Sequence, residues 1–568
     1  FIASCNAGAE RARGDFLVFL NNDTTVTAGW LEALLETFEH FADVGIAGAR
    51  LVYPDGRLQE AGGIIFDDAS GWNYGRGESP DLPQYNFASE ADYVSGACLA
   101  IRRQLFAELG GFDRHYAPAY YEDTDLCFRV RQHGLKVFCQ PACTIIHHEG
   151  ISSGTDEASG TKRYQAVNRA KFSERWQDEL RRQPPHRIDS DRPDPVRRAR
   201  FHRARGRALF IDATTPMPDH DSGSVRFTAM LELMVEQGWQ VTFMPQNLAW
   251  DGRYSDALQR RGIEVLAAPQ VNSPEAWLKR YGSDLDLVLV SRHYVLEPLL
   301  KPIRRHCPGA RLVFDTVDLH FLREQRQAEL SGSESMAAAA ASTRRTELKL
   351  MDEADTTLVV SPVERELLAE LVPEADVRVL SNIHTVHGRQ QGWEARRDLM
   401  FVGGFQHPPN VDAAEWLIDE IFPLIRAELP EVRLHLIGSR MPDALRTRVG
   451  EGVIVHGFVE DLEPYLNGCR LSLAPLRYGA GVKGKVNQAM AWGLPVVATA
   501  CAAEGMFLVH GEDVLMAADA PAFAAQTVRA YRDPDLWRKL SDGGLANVQT
   551  YFSRAAAGRV ITGLLTRE

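Results

Sequence analysis

Leu471-Ser-Leu-Ala-Pro-Leu-Arg-Tyr-Gly-Ala-Gly-Val-Lys-Gly-Lys485 carries a strand-sized apolar run into a glycine-rich, basic turn. The helix-length stretch Val486–Trp492 follows, then Gly493-Leu-Pro-Val-Val497, whose end is again strand-like. Strand, turn, helix and strand in that order make a βαβ unit, and such units build parallel sheets. Upstream, Leu399-Met-Phe-Val402, Val432-Arg-Leu-His-Leu-Ile437 and Val453-Ile-Val455 read as strands of the same series. An earlier series runs through Ala208-Leu-Phe-Ile211, Val241-Thr-Phe-Met244, Asp286-Leu-Val-Leu-Val290, Arg311-Leu-Val-Phe314 and Thr357-Leu-Val-Val360, with an amphipathic helix over Phe227–Gln237 closed by Gly238. Two series predict two doubly wound lobes that bind ligands at the carboxyl ends of their strands.

The remainder of the chain differs. Phe16-Leu-Val-Phe-Leu20 is a short buried-strand pattern stopped by Asn21-Asn-Asp23, Trp30–Phe41 has helical periodicity, and Tyr164–Leu180 reads as a closing helix. Residues 181–206 cluster proline and arginine with few large apolar side chains, the composition of an exposed linker. The expected organisation is therefore a first domain over 1–180, a linker over 181–206, and lobes over 207–390 and 391–568. The chain opens on Phe1-Ile-Ala-Ser-Cys-Asn6 rather than Met, and this start reads as the middle of a domain.

Composition sets outer bounds. Among 568 residues, 45% are hydrophobic and 24% charged, as in ordinary globular domains. A net charge of -13 excludes a general nucleic-acid binder. Eight scattered cysteines suit a reducing compartment, and the longest apolar runs are strand-sized, short of the roughly 18 residues of a membrane span. Neither lobe has Gly-x-Gly-x-x-Gly after its first strand, which argues against a dinucleotide enzyme.

Several clusters could carry chemistry. Asp23 at a strand end could hold a divalent ion against a diphosphate, although Asn-Asn-Asp also makes an ordinary turn. Glu122-Asp123 precedes the helical Leu126-Cys-Phe-Arg-Val130; these acids could cap that helix, or one could be a base that deprotonates an acceptor hydroxyl. His147 could complete a metal shell with Asp23, or be structural. Cys139, Cys143 and His147-His148 lack the spacing of a standard zinc motif. In the later lobes, Ser222-Gly-Ser224 could let backbone approach a phosphate at a helix start, or be a plain turn. His320 could line a cleft or sit satisfied in a core. The turn after Ala474 is a plausible diphosphate cradle, its anion neutralised by Arg477, Lys483 and Lys485.

Asn6-Ala-Gly8, Ala12-Arg-Gly-Asp15, Leu20-Asn-Asn-Asp23, Gly29-Trp-Leu31, Asp92-Tyr-Val-Ser-Gly96, Gly110-Gly-Phe-Asp113, Tyr121-Glu-Asp123 and His147, in this order, resemble glycosyltransferase family 2. The resemblance implies a GT-A fold, here lacking its first strands, and inverting transfer from a nucleotide-sugar donor with Mg or Mn. It implies Asp123 as catalytic base with Glu122 beside it, Asp23 and His147 as metal contacts, Asn6, Arg13 and Asn22 on the donor side, and Ser95 and Gly96 in the acceptor region. Absence of the first strands would leave half a donor pocket, so little activity is expected of this segment alone. Gln59-Glu-Ala-Gly-Gly63, Trp72-Asn-Tyr-Gly75 and His148-Glu-Gly-Ile-Ser-Ser-Gly154 resemble the subgroup that builds cell-surface polysaccharides, rhamnosyl transferases included.

Gly403-Gly-Phe405, Pro409-Asn-Val-Asp412, Gly457, Pro475-Leu-Arg477, Gly479-Ala-Gly481, Lys485, Ala489-Met-Ala491, Gly493-Leu-Pro495 and Glu504-Gly505 resemble glycosyltransferase family 4 and its GT-B relatives. That resemblance covers about Arg207 onward and implies metal-independent transfer with the donor held mainly by the last lobe. The candidate donor contacts are Gly223, Arg477, Gly481, Lys483, Lys485, Gln488 and Glu504, with His320 as a catalytic candidate. The family's Glu-x₇-Glu positions are Ala480 and Gln488 here, so a carboxylate near the reacting sugar is missing unless Glu504 supplies it. The expectation is thus an α/β chain: a truncated GT-A domain followed by a GT-B pair of Rossmann-like lobes. It would act as a bifunctional glycosyltransferase on a glycan or lipid-linked glycan acceptor, in the cytoplasm and at the inner face of the membrane. The alternative is a nucleotide- or glycan-binding protein with inactive sites.

Overall fold

The computed structural model describes residues 1–148, 163–186, 194–448, 450–479 and 481–565. The motif over 149–154, Ala480 and the two arginines and one proline of 187–193 lie outside them.

The first sheet is mixed, in the strand order Phe16–Leu20, Cys98–Arg102, Val44–Val52, Lys136–His147, Thr24–Val26. Val44–Val52 and Lys136–His147 run parallel, and the other pairs of this path are antiparallel. Its register places the candidate site. Leu20 lies opposite Cys98, which brings Asn21–Asp23 beside Ser95–Ala97. Thr24 lies opposite His147. Trp30–His40 forms the expected helix and buries Ala33, Leu34 and Phe38 against this sheet's strands.

Two of the remaining sheets confirm the parallel reading. One runs Ile263–Val265, Gln240–Pro245, Arg207–Asp212, Leu287–Ser291, Arg311–Asp315, Thr356–Val359, Val377–Val379. The other runs Val453–Gly457, Leu434–Ile437, Arg397–Val402, Cys469–Ala474, Val496–Ala498, Val514–Met516. Counted from each sheet's own first strand, the second follows 3-2-1-4-5-6 and the first follows the same order with a seventh strand added, the doubly wound order whose crevice opens where the order reverses. In the last sheet that point lies between Arg397–Val402 and Cys469–Ala474, so the loops starting at Gly403 and Pro475 face each other. Gly438 is required beside them: its φ is +154° and an added Cβ would stand 1.8 Å from the Gly403 carbonyl oxygen. Apolar periodicity missed the short strands Ile263–Val265, Val377–Val379 and Val514–Met516 because three residues are too few to show alternation.

Contacts divide the chain into two compact units: Phe1–Phe210 with Met234–Leu287 and Lys301–Ala310, and Ile211–Leu233 with Val288–Leu300 and Arg311–Glu568. In the first, the expected exposed linker is corrected over its described later part. Pro195–Arg200 is a helix capped by Asp194, and Arg197 and Arg200 are buried. Arg197 donates to both carboxylate oxygens of Glu264, at 3.0 and 2.5 Å, and Arg198 pairs with Asp284. Arg200 donates to Ser89 Oγ at 2.9 Å and to the Glu90 carbonyl. His202 Nε2 and Arg203 Nε approach Asp92 Oδ1 at 3.0 and 3.2 Å, where Arg131 also binds. Dense arginine reads as exposure in a sequence; here partners distant along the chain satisfy Arg197, Arg198, Arg200 and Arg203.

Candidate functional site

Asp123 sits in the first turn of the helix Glu122–Gln132. The two residues before that helix, Tyr120 and Tyr121, have φ of 74° and 71°, left-handed backbone that costs of order 1–3 kcal/mol per residue in a non-glycine. The surroundings hold it. Asn168 Nδ2 donates to the carbonyls of Tyr116, Ala119 and Tyr120 at 2.7–3.0 Å, and Tyr121 donates its hydroxyl to the Ala69 carbonyl at 2.8 Å. Strain of this kind, over-determined by its neighbours, accompanies the turn of Asp123 towards the Ser95–Ala97 loop.

Asp123 Oδ2 accepts from Gly96 N–H at 2.9 Å, and Oδ1 from Thr124 N–H at 2.7 Å. Glu60 is buried close by and accepts from Ser95 N–H at 3.2 Å. Three carboxyls share this region, and burial raises all three. It raises Glu60 to about 8, with repulsion from Asp123 adding to it. Burial and then Asp123 raise Glu122, and burial raises Asp123, opposed by its N–H partners. The backbone N–H groups of Gly96 and Thr124 favour the charged form of Asp123, whereas repulsion from Asp123 adds to burial in raising Glu60 and Glu122. The sequence pattern flagged Glu60 only inside a subgroup motif, since its strand neighbours give no hint that it meets Asp123.

A raised carboxyl pKa stabilises the fold below the unfolded value and loses that contribution as pH climbs through the folded value. For Glu60 that window runs from the ordinary glutamate range to about 8. The effect is on the order of 4 kcal/mol. Glu60→Gln keeps an acceptor for Ser95 N–H but cannot ionise. Its melting temperature should fall less between pH 5 and pH 9 than that of the wild type, as scanned calorimetrically; equal falls would show that Glu60 does not hold a proton.

Asp23 Oδ1 lies 3.4 Å from His147 Nε2, and His147 Nδ1 lies 3.2 Å from Gln59 Oε1. Gln59 can accept only if Nδ1 carries the proton, which leaves Nε2 as a lone-pair donor beside a carboxylate, an arrangement that fits a divalent ion. Other expectations for this region fare differently. Asn6 is tied to backbone: its Nδ2 donates to the Phe112 carbonyl at 2.8 Å and its Oδ1 accepts from Phe112 N–H at 2.9 Å. Arg13 and Asn22 are exposed. Cys139 and Cys143 are buried thiols and belong to no metal-competent group among the described residues.

In the second unit, Lys485 Nζ donates to Asn410 Oδ1 at 2.7 Å and lies 4.3 Å from the Phe401 ring centroid. Burial, with the charge of Lys483 adding, lowers its pKa to about 7. Lys483 is buried and donates to the Gly481 carbonyl at 2.6 Å. Gly481 has φ of +69°, and its added Cβ would stand 3.9 Å from Glu364 Oε1. Gln488 is half-buried on the helix Gly484–Ala491.

Arg477 is held by Asp412, through Nε at 2.9 Å and through Nη2, and stacks near Trp416. Glu504 is gripped by Arg326 at 2.9 and 3.1 Å, and Arg326 also donates to the Gly479 carbonyl at 2.6 Å. Arg477, Glu504, Arg326 and Gly479 line a cleft of about 380 Å³ with Glu329, Tyr478 and Cys501. Arg326 carried no sequence signal, since its helix is far from Glu504 in the chain.

Gly223 stands at a helix start, as its motif indicated, and His320 takes the buried of its two readings. Gly223 lies in the first turn of the helix Ser222–Glu236, which begins five residues earlier than apolar periodicity indicated. Asp221 supplies the anion there, accepting from Ser224 N–H at 2.8 Å and Ser224 Oγ at 2.9 Å. His320 is buried rather than cleft-lining, with Nδ1 3.1 Å from the Asp318 carbonyl and 3.5 Å from Glu347 Oε1.

Two family models match separate parts of the chain. The family model for glycosyl transferase family 2 matches residues 1–110, and that for glycosyl transferases group 1 matches residues 396–533. The O-antigen biosynthesis protein RfbC of Myxococcus xanthus is 32% identical over 157 residues, 27% of this chain and 12% of that protein. The N-acetylglucosaminyl-diphospho-decaprenol L-rhamnosyltransferase of Mycobacterium tuberculosis is 28% identical over 156 residues, 26% of this chain and 50% of that protein. The chain thus spans between about a tenth and a half of the length of these relatives. Among solved structures, sucrose-phosphate synthase from Thermosynechococcus elongatus aligns with TM-score 0.48 and 18% identity, over 63% of this chain and 98% of that one. Anabaena HepE in complex with UDP and glucose aligns with TM-score 0.47 and 13% identity, over 63% and 99%.

Proposed function

The chain carries a glycosyltransferase family 2 segment followed by a glycosyltransferase group 1 segment, and from that premise we propose a bifunctional enzyme that moves sugars from nucleotide-sugar donors to a growing cell-surface polysaccharide. The first segment is metal-dependent and inverting; the second needs no metal. The domains proposed to carry these roles are 1–180 for the first and the lobes 207–390 and 391–568 for the second. The acceptor is a glycan or lipid-linked glycan. The roles named for these relatives, O-antigen biosynthesis and rhamnosyl transfer to a decaprenol-linked sugar, support this class, rhamnosyl transfer included. Among the described residues no helix is long and apolar enough to cross a membrane. The acceptor's chemistry supports a place in the cytoplasm, at the inner membrane face.

The observation that carries the proposal is Asp123, which accepts from Gly96 N–H and Thr124 N–H beside the buried carboxyls of Glu60 and Glu122. Asp123 would take the proton of an acceptor hydroxyl as that oxygen attacks the anomeric carbon opposite the leaving diphosphate, which inverts the centre. Ser95 and Gly96 would bound the acceptor. Asp23 and His147 would hold Mg or Mn, which supplies charge to offset the leaving diphosphate. In the second segment, Lys483 and Lys485 would meet the donor's diphosphate near Gly481, with Gln488 as a hydrogen-bonding neighbour. Arg477 and Glu504 would act from the cleft wall through their partners Asp412 and Arg326.

A donor screen that reads nucleoside diphosphate release tests the whole reading: Asp123→Asn and Lys485→Ala should each remove a different transfer. A second reading, a binding protein with an inactive second site, is favoured by Gln488 standing where the related family has glutamate; it predicts donor binding without release in that segment.

The metal contacts have their own test. Mn²⁺ binding followed by electron paramagnetic resonance should be lost in His147→Ala and weakened about 10–100-fold in Gln59→Ala, which removes the partner that fixes the ring. Equal affinity in wild type and both variants would place the ion elsewhere.

A further inference from the structure

We propose that His293, His320 and Glu347 form a binding site for zinc or a similar divalent transition ion, separate from the Asp23–His147 pair and from the basic turn around Lys485.

The three side chains come from three elements. His293 opens the helix His293–His306 just past the strand Leu287–Ser291, and His320 opens the helix His320–Ser331 just past Arg311–Asp315. Those strands are neighbours in a parallel sheet, so both histidines stand at its carboxyl edge, where doubly wound sheets bind ligands. Glu347 arrives from the helix Glu334–Glu353 and is wholly buried. Glu347 Oε1 is 3.5 Å from His293 Nδ1 and 3.5 Å from His320 Nδ1, and one ligand atom from each residue lies within 4.8 Å of the others. Ligands at about 2.0–2.1 Å from a tetrahedral zinc stand roughly 3.4 Å apart, close to these separations. Two imidazoles and one carboxylate form a known zinc ligand set that leaves the fourth corner for water or substrate.

Two further features favour a metal over a plain ion-pair cluster. His293 Nδ1 is enclosed and makes no hydrogen bond among the described residues. The Glu347 carboxylate is already fixed, accepting from His320 N–H at 3.2 Å and Phe321 N–H at 3.0 Å. Supporting hydrogen bonds of this kind orient a ligand before the ion arrives. The two rings meet at 78° with centroids 4.9 Å apart, so their nitrogens converge without stacking. Ligation by His320 Nδ1 would replace its 3.1 Å contact with the Asp318 carbonyl. The side chain of His293 keeps 15% of its surface exposed, which gives an ion a way in.

The test uses the full chain, metal-stripped, in an Asp23→Asn, His147→Ala background that removes the other candidate ligands. Titration with Zn²⁺ against a chromophoric chelator should find one tight equivalent, and His293→Ala and His320→Ala should each weaken it by at least ~10-fold. X-ray absorption of the zinc-loaded chain should show two imidazole nitrogens and no sulfur. Failure to bind an equivalent, binding indifferent to both variants, or a shell containing thiolate from the eight cysteines would each overturn the site.

Discussion

Asp123→Asn is expected to cut transfer by the family 2 segment about 10²–10⁴-fold, the usual worth of a positioned base, while leaving the fold in place. Asparagine keeps an oxygen for Gly96 N–H or Thr124 N–H, so the helix start and the strained Tyr120–Tyr121 backbone should hold. Removing the charge should also relieve its neighbours, because Asp123 repels both Glu60 and Glu122. Wild-type activity should rise with pH as Asp123 loses its proton, and that limb should lie above the ordinary aspartate range, since burial raises this carboxyl. Turnover by nucleoside diphosphate release, with circular dichroism as the folding control, checks both parts. Undiminished turnover in Asp123→Asn would remove the base from the mechanism.

Lys485→Ala should weaken donor binding to the group 1 segment by about 10–100-fold, from losing a charge-assisted bond worth about 1.5–3 kcal/mol. The pH dependence is more telling. Burial holds Lys485 at about 7, so above that pH most of the empty protein carries it neutral. An anionic diphosphate would draw a proton onto it, and donor affinity should fall by up to about tenfold per pH unit above the shifted value. Calorimetric titration with UDP in buffers of different ionisation enthalpy should register proton uptake near pH 8. Lys485→Ala should abolish that uptake, and Lys485→Arg, which stays charged, should bind without it. Uptake that persists in Lys485→Ala would mean that another group meets the anion.

The parallel lobes were legible because Leu471–Ala474, Leu399–Val402 and their companions are continuous apolar runs at helix-length spacing, a local pattern that needs no knowledge of neighbours. Asp23, Asp123, His147 and Lys485 could be singled out as candidates because they fall at strand or helix ends. The chain's own order of residues therefore determined the kind of sheet and which charged groups are candidates to meet a nucleotide sugar. What only the tertiary structure decided is how those charges are compensated. Glu60 beside Asp123, Arg197 on Glu264, Arg326 on Glu504, and His293 and His320 around Glu347 are pairings between residues distant along the chain. Electrostatic energy and desolvation depend on distance through space and on burial, neither of which a linear pattern encodes. For the same reason arginines that looked solvated proved buried, and a histidine that could line a cleft or sit in a core proved to share a buried carboxylate.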